Sequence, residues 1–533
     1  MPRSLRALSL LAATGLLLAP RPAAAFCGFY VSGADAKLYN NATVVVLMRD
    51  GTRTVLSMQN NYQGPPQDFA LVVPVPVILK EQDVKTLPRA VFDRVDALAA
   101  PRLVEYWEQD PCYVEPEIAY DRMEMAGGSV DDDGPQAKKA KDLGVTIEAK
   151  FAVGEYQILI LGAKDSTGLD LWLRRGGYNI PDGADAVLRP YVQAGMKFFV
   201  AKVDTKKVKF DAKGQAMLSP LRFHYDSETF SLPVRLGLLN AQGKQDLLVH
   251  VLARETRYEL ANYRNVAIPT NLDVGDATRR NFGGFYAALF DATLAQSPGA
   301  VVTEYAWSAG SCDPCPQEPL NLSELVSLGA DALPTYAEAL RGGTVDSNLA
   351  YSLPSQFVLT RLHARYGREN LGEDLVFQAA SAIEGGREVQ GPDGALERGA
   401  KPASYGNNFQ ARYAIRHAWT GPIACAEPRR GIWGGPPANV ASEPLQVAKD
   451  LAFVARDAPL ATFLAADVPE LGPGGAAALP GGPISPPPPE PLPPRSGGCA
   501  RCDLSEGPGA PAALGLGLLL GLLRRRPRRG GRV

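Results

Sequence analysis

Cys312-Asp313-Pro314-Cys315 is the sharpest chemical feature of the chain. Two cysteines at this spacing perform thiol–disulfide exchange when a helix N-terminus lowers the pKa of the first thiol. Here Pro316 and Pro319 follow closely, and a proline inside a helix costs about 3 kcal/mol. A structural disulfide clip is therefore the expected role, with redox chemistry as the alternative. A structural zinc would need two further ligands close by, which only Cys112, Cys425 or a histidine could supply, so no metal is expected. The four histidines are His224, His250, His363 and His417, and none stands in HExxH. His250, in "LLVHVLA", reads as a packed core residue. His363 and His417 have arginines beside them and could converge on an anionic ligand, although packing or surface roles are the default. Glu105, Asp110 and Glu304 could be imagined as catalytic acids, but nothing sets their separation, so solvent-facing charge is expected. The aromatics of "VEYWEQDPCY" and "TEYAWSAG" could line a glycan or peptide groove, with buried packing the simpler role. There is no GxSxG elbow. "GLLNAQGKQ" lacks the glycine spacing, and the Ser/Thr after Lys244, of a phosphate-binding loop. Asp131-Asp132-Asp133-Gly134 lacks the spaced acids and final Glu of a calcium loop. No catalytic residue can be assigned, no cofactor is expected, and the balance leans away from an enzyme.

These residues sit on elements that the local pattern partly defines. "TVVVLMRDGTRTVLSM" is two β-branched runs joined by Asp50-Gly51, the favoured loop of a tight hairpin. "FALVVPVPVIL" reads as a strand whose Pro74 and Pro76 end should lie at an edge or leave the sheet. In "PRAVFDRVDALAA", Val91, Phe92, Val95 and Leu98 fall on one helical face. "VTIEAKFAVGEYQILILGA" gives two strands. "STGLDLWLRRGGY" gives a helix with Ser166 or Thr167 as cap and Gly176-Gly177 as stop. "ADAVLRPYVQAG" gives another helix, interrupted at Pro190. "KFFVAKV", "LRFHY", "VRLGLLN" and "DLLVHVLAR" have strand character. Further on, "GGFYAALFDATLAQ" reads as an amphipathic helix and "AVVTEYAW" as a strand. "SELVSLG", "YAEAL" and "DLVFQAASAI" suggest helices, "FVLTRLHARYG" suits either state, and "FQARYAIRHAWTG" is a strand. The fold class is α+β: a β-rich N-terminal part, a mixed middle and a more helical third segment.

The ends differ from the body. Arg3 and Arg6, the apolar run Leu8 to Leu18 and Ala23-Ala24-Ala25 form a secretory signal peptide with cleavage before Phe26. The last residues hold an apolar run and an arginine block from Arg524. The whole chain carries −2, so the body between its basic ends is more acidic still. That disfavours nucleic acid as a partner. Export permits disulfides among the seven cysteines, and the preferred pairing is Cys27 with Cys112 and Cys312 with Cys315, leaving Cys425 odd. Residues 469–498 are a disordered, extended proline-rich spacer. The apolar run of about 13 residues is too short for a hydrocarbon core that needs about 20, so it suits a transient inner-membrane span better than a permanent anchor.

"NNYQGPPQDFALVVPVPV", "VGEYQILILGAKDSTGLDLWLRRGGYNIP", "VVTEYAWSAGSCDPC" and "FQARYAIRHAWTGPIAC" together resemble the DUF2330 family of exported bacterial proteins, in order from about Cys27 to Trp433. That resemblance implies export and a shared globular body, and it brings no established activity. The tail resembles the MYXO-CTERM sorting tag of myxobacterial surface proteins, with Cys499 or Cys502, a short apolar helix and a terminal basic cluster. Such tags imply processing or lipidation at the cysteine and a lasting place on the cell surface or outer membrane. The organisation expected is a signal peptide (1–25), a β-rich segment (26–124), a flexible linker (125–144), an α+β segment (145–275), a mixed helix-rich segment (276–468), the spacer (469–498) and the sorting tag (499–533). The functional expectation is a surface-anchored envelope protein that binds or supports other material. Its expected partners are the export and sorting machinery and the envelope or membrane itself, and its ligand is unspecified. The alternative is an extracellular thiol–disulfide oxidoreductase using Cys312 and Cys315.

Overall fold

The computed structural model describes Phe29–Tyr30 and residues 43–465, apart from 60–69, 113–143, 179, 181–182, 211–215, 240–243, 341–344, 368–371, 389–395, 441–443, 449–455 and 457. The signal peptide, Cys27, nearly all of the linker, the spacer, and the tag with Cys499 and Cys502 lie outside the described residues. The body is β-rich α+β.

Its spine is an eleven-stranded sheet. The strands that matter below are β1 (Thr43–Asp50), β2 (Arg53–Gln59), β4 (Leu221–Asp226), β5 (Gln245–Arg254), β6 (Val301–Ser308) and β7 (Phe357–Tyr366). Strand β3 (Arg102–Glu108) lies in another sheet, beside β8 (Arg412–His417). The spatial order through the centre is β6-β7-β5-β1-β2-β4. All neighbours there are antiparallel except β5 and β1. The Asp50-Gly51 hairpin is real: Asp50 pairs with Arg53, and Gly51 takes φ +57°, which a side chain would resist. Strands β1 and β2, β4 and β5, and β6 and β7 all join this one sheet, so distant parts of the chain share it.

Strand alternation divides the core. Val45 and Leu47 face one side of the large sheet and pack with Leu71, Val73 and Val75 of the strand Ala70–Val75. Val46 and Met48 face the other side and meet helix α1 (Arg89–Ala99) through Val91, Phe92, Val95 and Leu98. Each such buried side chain contributes about 1.5–3 kcal/mol. Strand Ala70–Val75 belongs to a five-stranded sheet whose far side is covered by helices Ser166–Arg175 and Ala184–Gln193. Phe29–Tyr30 pairs only with Leu71 and Val72, so Pro74 is not caught between two ladders. Helix α2 (Phe282–Gln296) packs on the opposite part of the large sheet and on Tyr413 and Ile415 of β8.

Several local expectations change. The cap of helix Ser166–Arg175 is Asp165, whose carboxylate accepts from Gly168 N at 2.6 Å, rather than Ser166 or Thr167. Residues 235–239 form a 3-10 turn, not a strand. "DLVFQAASAI" forms strands Leu375–Ala380 and Ile383–Gly385, because Leu375 and Val376 pair with Leu232 and Ser231, and Phe377 onward with Arg257–Leu260. Helix α2 is apolar nearly all round, as suits a helix buried on several sides rather than an amphipathic one. "FQARYAIRHAWTG" splits at Ala411: Asn408–Gln410 joins the large sheet and β8 pairs in parallel with β3.

Candidate functional site

The richest cluster of titratable groups lies inside the large sheet, under α2. It begins at Glu304, which sits at a β-bulge in β6 where the register with β7 shifts between Thr303 and Tyr305. A bulge re-aims one side chain. Glu304 points inward and is fully buried. Its Oε1 accepts from the Tyr286 hydroxyl at 2.5 Å and meets His363 Nδ1 at 2.7 Å; its Oε2 accepts from Arg361 Nε at 2.6 Å. His363 Nε2 meets Asp246 Oδ1 at 3.0 Å, and its ring stacks on Phe290 at 3.8 Å. Arg361 Nη1 donates to the Asp96 carboxylate at 2.8 Å. Arg365 and Arg456 reach Asp246, each at 3.2 Å, and both also pair with Asp291.

The network balances four carboxylates (Asp96, Asp246, Asp291, Glu304) with four cations (Arg361, His363, Arg365, Arg456). Both His363 ring nitrogens face carboxylate oxygens, which only accept, so the imidazolium is the form that satisfies them. Burial works to lower its pKa, but Glu304 and the hydrogen bonds to Asp246 and Glu304 hold it above the ordinary histidine value. Burial works to raise Glu304, yet His363 and Arg361 pull it down to about 2. Asp246 is likewise lowered: burial opposes this, and its contacts with His363, Arg456 and Arg365 prevail. Tyr286 is pushed well above the usual phenol by burial and by Glu304.

A general acid or base works best with a pKa near the operating pH. Here Glu304 and Asp246 are held below the usual carboxylate range and His363 above the ordinary histidine value, each facing its counter-charge. The arrangement ties β5, β6, β7, α1 and α2 together through ion pairs. A shallow depression beside Arg365 and Tyr366, also lined by Tyr263 and Ala300, has room for about one water.

Glu304 is thus not the solvent-facing charge expected of it, because its partners arrive from β7 and α2. Glu105 and Asp110 do not join it. Glu105 accepts from Arg279 at 2.7 and 2.6 Å and meets His417 Nε2 at 2.8 Å, with the His417 ring stacked on Trp107 at 4.6 Å. Burial opposes ionisation of Glu105, and the bonds from Arg279 and His417 keep its pKa below the usual range. Asp110 accepts from Cys112 N at 2.9 Å. The arginines near His363 and His417 therefore converge on protein carboxylates; Arg416 pairs with Asp273 and Glu388 while lying over Trp433 and Tyr106. His250 is wholly buried between β1 and β7, and burial, with Arg361 nearby, pushes its pKa well down. His224 lies 3.6 Å from Asp83, and its pKa is lowered, mainly by burial. Among the described residues, no group of His, Cys, Asp and Glu could hold a metal ion.

Among the described residues there are two disulfides. Cys312 joins Cys315. Cys112 joins Cys425, not Cys27, so Cys425 is not the odd cysteine. The sequence pairing went astray because Cys27 and Cys112 are the two N-terminal body cysteines, whereas β3 and β8 run in parallel and bring the loops after both strands to one end. The Cys312 loop is clasped by Arg102, which donates to Pro314 O at 2.7 Å, by Gln410, which donates to Asp313 O, and by Arg387, which meets the Asp313 carboxylate at 2.7 Å. No helix starts at Cys312; the next begins at Leu322, capped by Asn321.

Sequence reasoning missed Asp246, Asp96, Tyr286, Asp291, Arg365 and Arg456 as one cluster. A signal existed: in "RLHARY", Arg361, His363 and Arg365 alternate with apolar residues, placing three cations on one face of a strand.

Fold and chemistry together define a disulfide-bonded, β-rich α+β body with a buried ionic centre. The chain belongs to the DUF2330 family, described as an uncharacterized protein conserved in bacteria, whose model matches residues 21–378. Neither a curated protein nor a solved structure matches it. The family match ends before β8, Cys425 and the segment carrying Arg456 and Phe463, all of which pack into the same body.

Proposed function

We propose that this chain is an exported protein held at the cell surface, where its body serves as a binding or structural module for envelope material. The observation that carries the reading is the Cys112–Cys425 bond, which links loops 313 residues apart in a chain with a second disulfide. Disulfides of this kind persist in oxidising compartments. The signal-like N-terminus and the tag-like tail support the same reading, with Cys499 or Cys502 as the lasting attachment. Among the described residues, no helix is long and apolar enough to cross a membrane. The acid–base groups support a structural role, since they neutralise one another inside the sheet. Surface labelling of intact cells tests the proposal. The protein should label from outside, and a variant with both Cys499 and Cys502 changed to Ala should lose its surface attachment. A chain that labels only after lysis would refute it.

One observation favours a second reading, a thiol–disulfide oxidoreductase: Cys315 is exposed, so an outside thiol could reach that bond. Against it stands the absence of a helix N-terminus to stabilise a Cys312 thiolate. Insulin reduction by the purified protein, abolished in Cys312→Ala, would establish the redox reading; no turnover would dismiss it.

A further inference from the structure

The body is acidic, yet one corner of it is basic. Strand Lys197–Val203 runs into a turn and then into a small hairpin, Lys209–Phe210 paired with Ala216–Met217. The hairpin forms its own two-stranded sheet, and Val208 and Leu218 at its base pack on the core. Lys206, Lys207 and Lys209 are exposed. So are two large apolar side chains: Phe210 is 54% exposed and Met217 43%. Phe210 lies opposite Ala216 and Met217 opposite Lys209, so the two apolar groups belong to different faces and do not cover each other.

Lys202 extends this corner. Its ammonium lies over the Tyr178 ring at 4.2 Å and reaches Gly176 O at 3.4 Å. That brings the end of helix Ser166–Arg175 alongside, with exposed Arg175 and, one turn earlier on the same helix face, Leu171. Among the described residues, the acids nearby already have partners. Asp204 accepts from Lys206 N, Glu155 accepts from Ser219 N, and Asp170 pairs with Arg174.

A lone two-stranded hairpin is marginal in water. Exposed Phe and Met gain by leaving water, and surrounding ammonium groups are drawn to an anionic lipid surface. We propose that this corner docks on anionic phospholipid: Lys206, Lys207 and Lys209 meet the headgroup phosphates while Phe210 and Met217 enter the interface. An acidic protein would satisfy the lysines, but it would leave the two exposed apolar side chains unexplained. The contact is separate from any attachment through the C-terminal tail and goes beyond the surface-module reading.

The test is co-sedimentation of the full chain with phosphatidylcholine vesicles, with and without about 30% phosphatidylglycerol. Wild type should partition onto the anionic vesicles and fall off with added salt. Lys206→Gln, Lys207→Gln and Lys209→Gln combined should weaken partitioning about a hundredfold, and Phe210→Ser with Met217→Ser about tenfold. Both variants should melt like wild type, because the altered side chains are exposed. Variants that bind as wild type would place the affinity elsewhere in the chain, the arginine-rich tail included, and overturn the proposal. So would equal binding to uncharged vesicles, or binding to polyglutamate that the three lysine variants abolish and the Phe210→Ser, Met217→Ser variant leaves unchanged.

Discussion

Glu304 decides how its neighbours ionise. It is fully buried and takes hydrogen bonds from Tyr286 and Arg361 while facing His363. Removing one partner of a buried ion pair typically costs about 3–5 kcal/mol, because the other charge is left uncompensated. Glu304→Gln should lose stability of that order, read as a lower urea midpoint with an unchanged slope. The pH dependence follows from the directions of the shifts. Glu304 is held at about 2 when folded, against an ordinary value of 4.5. Its contribution is complete above about pH 4.5 and is lost as pH falls towards 2. His363 is shifted the other way, so its contribution is complete below its ordinary 6.5 and is lost as pH rises through its elevated value. Thermal melts across pH should show Glu304→Gln removing part of the acid loss. The stability gap between wild type and His363→Gln should narrow above about pH 6.5. A parallel offset at every pH would mean that neither group titrates as described. Little of this centre was legible in the sequence. The alternating cations of β7 were readable, but their counter-charges stand 57 residues away at Glu304, 117 at Asp246 and 265 at Asp96. Only the strand order brings them together.

At the scale of elements, local pattern succeeded where one element carries its own reason. Val91, Phe92, Val95 and Leu98 mark α1 by spacing alone, and all four are buried. The Asp50-Gly51 turn needed no tertiary information. Pattern failed at "DLVFQAASAI", whose helix-compatible residues are taken into strands by partners on two sides; tertiary pairing overrides propensity there. It also misjudged α2, which is buried on several faces and so shows no polar stripe. Phe285 of that helix packs edge-on to Tyr413 at 4.9 Å and against Phe463 at 6.1 Å. Phe285→Ala should therefore destabilise by about 3–5 kcal/mol, seen as a lower urea midpoint. A change within about 0.5 kcal/mol would show that α2 is not a core element.

The whole molecule is closed by contacts that cross the family boundary. The segment ending at Ala465 returns to the body: Phe463 O accepts from Gly275 N and Thr278 Oγ1, and Arg456 completes the ionic network. Cys425 ties the same region to Cys112. A cross-link constrains the unfolded chain more as its loop lengthens, so the two disulfides should differ. Reduction-proof variants should show it: Cys112→Ala with Cys425→Ala should lower the melting temperature by more than Cys312→Ala with Cys315→Ala. Equal effects would mean that the long-range bond contributes nothing beyond the short clip. The central claim is an exported, oxidised body attached through its tail, and mass spectrometry of the protein taken from the cell surface tests it most directly. The account predicts a mature N-terminus at Phe26, linked Cys112–Cys425 and Cys312–Cys315 peptides, and a chain that ends or is modified at Cys499 or Cys502. Free thiols at Cys112 and Cys425, together with intact Met1 and Val533, would contradict it.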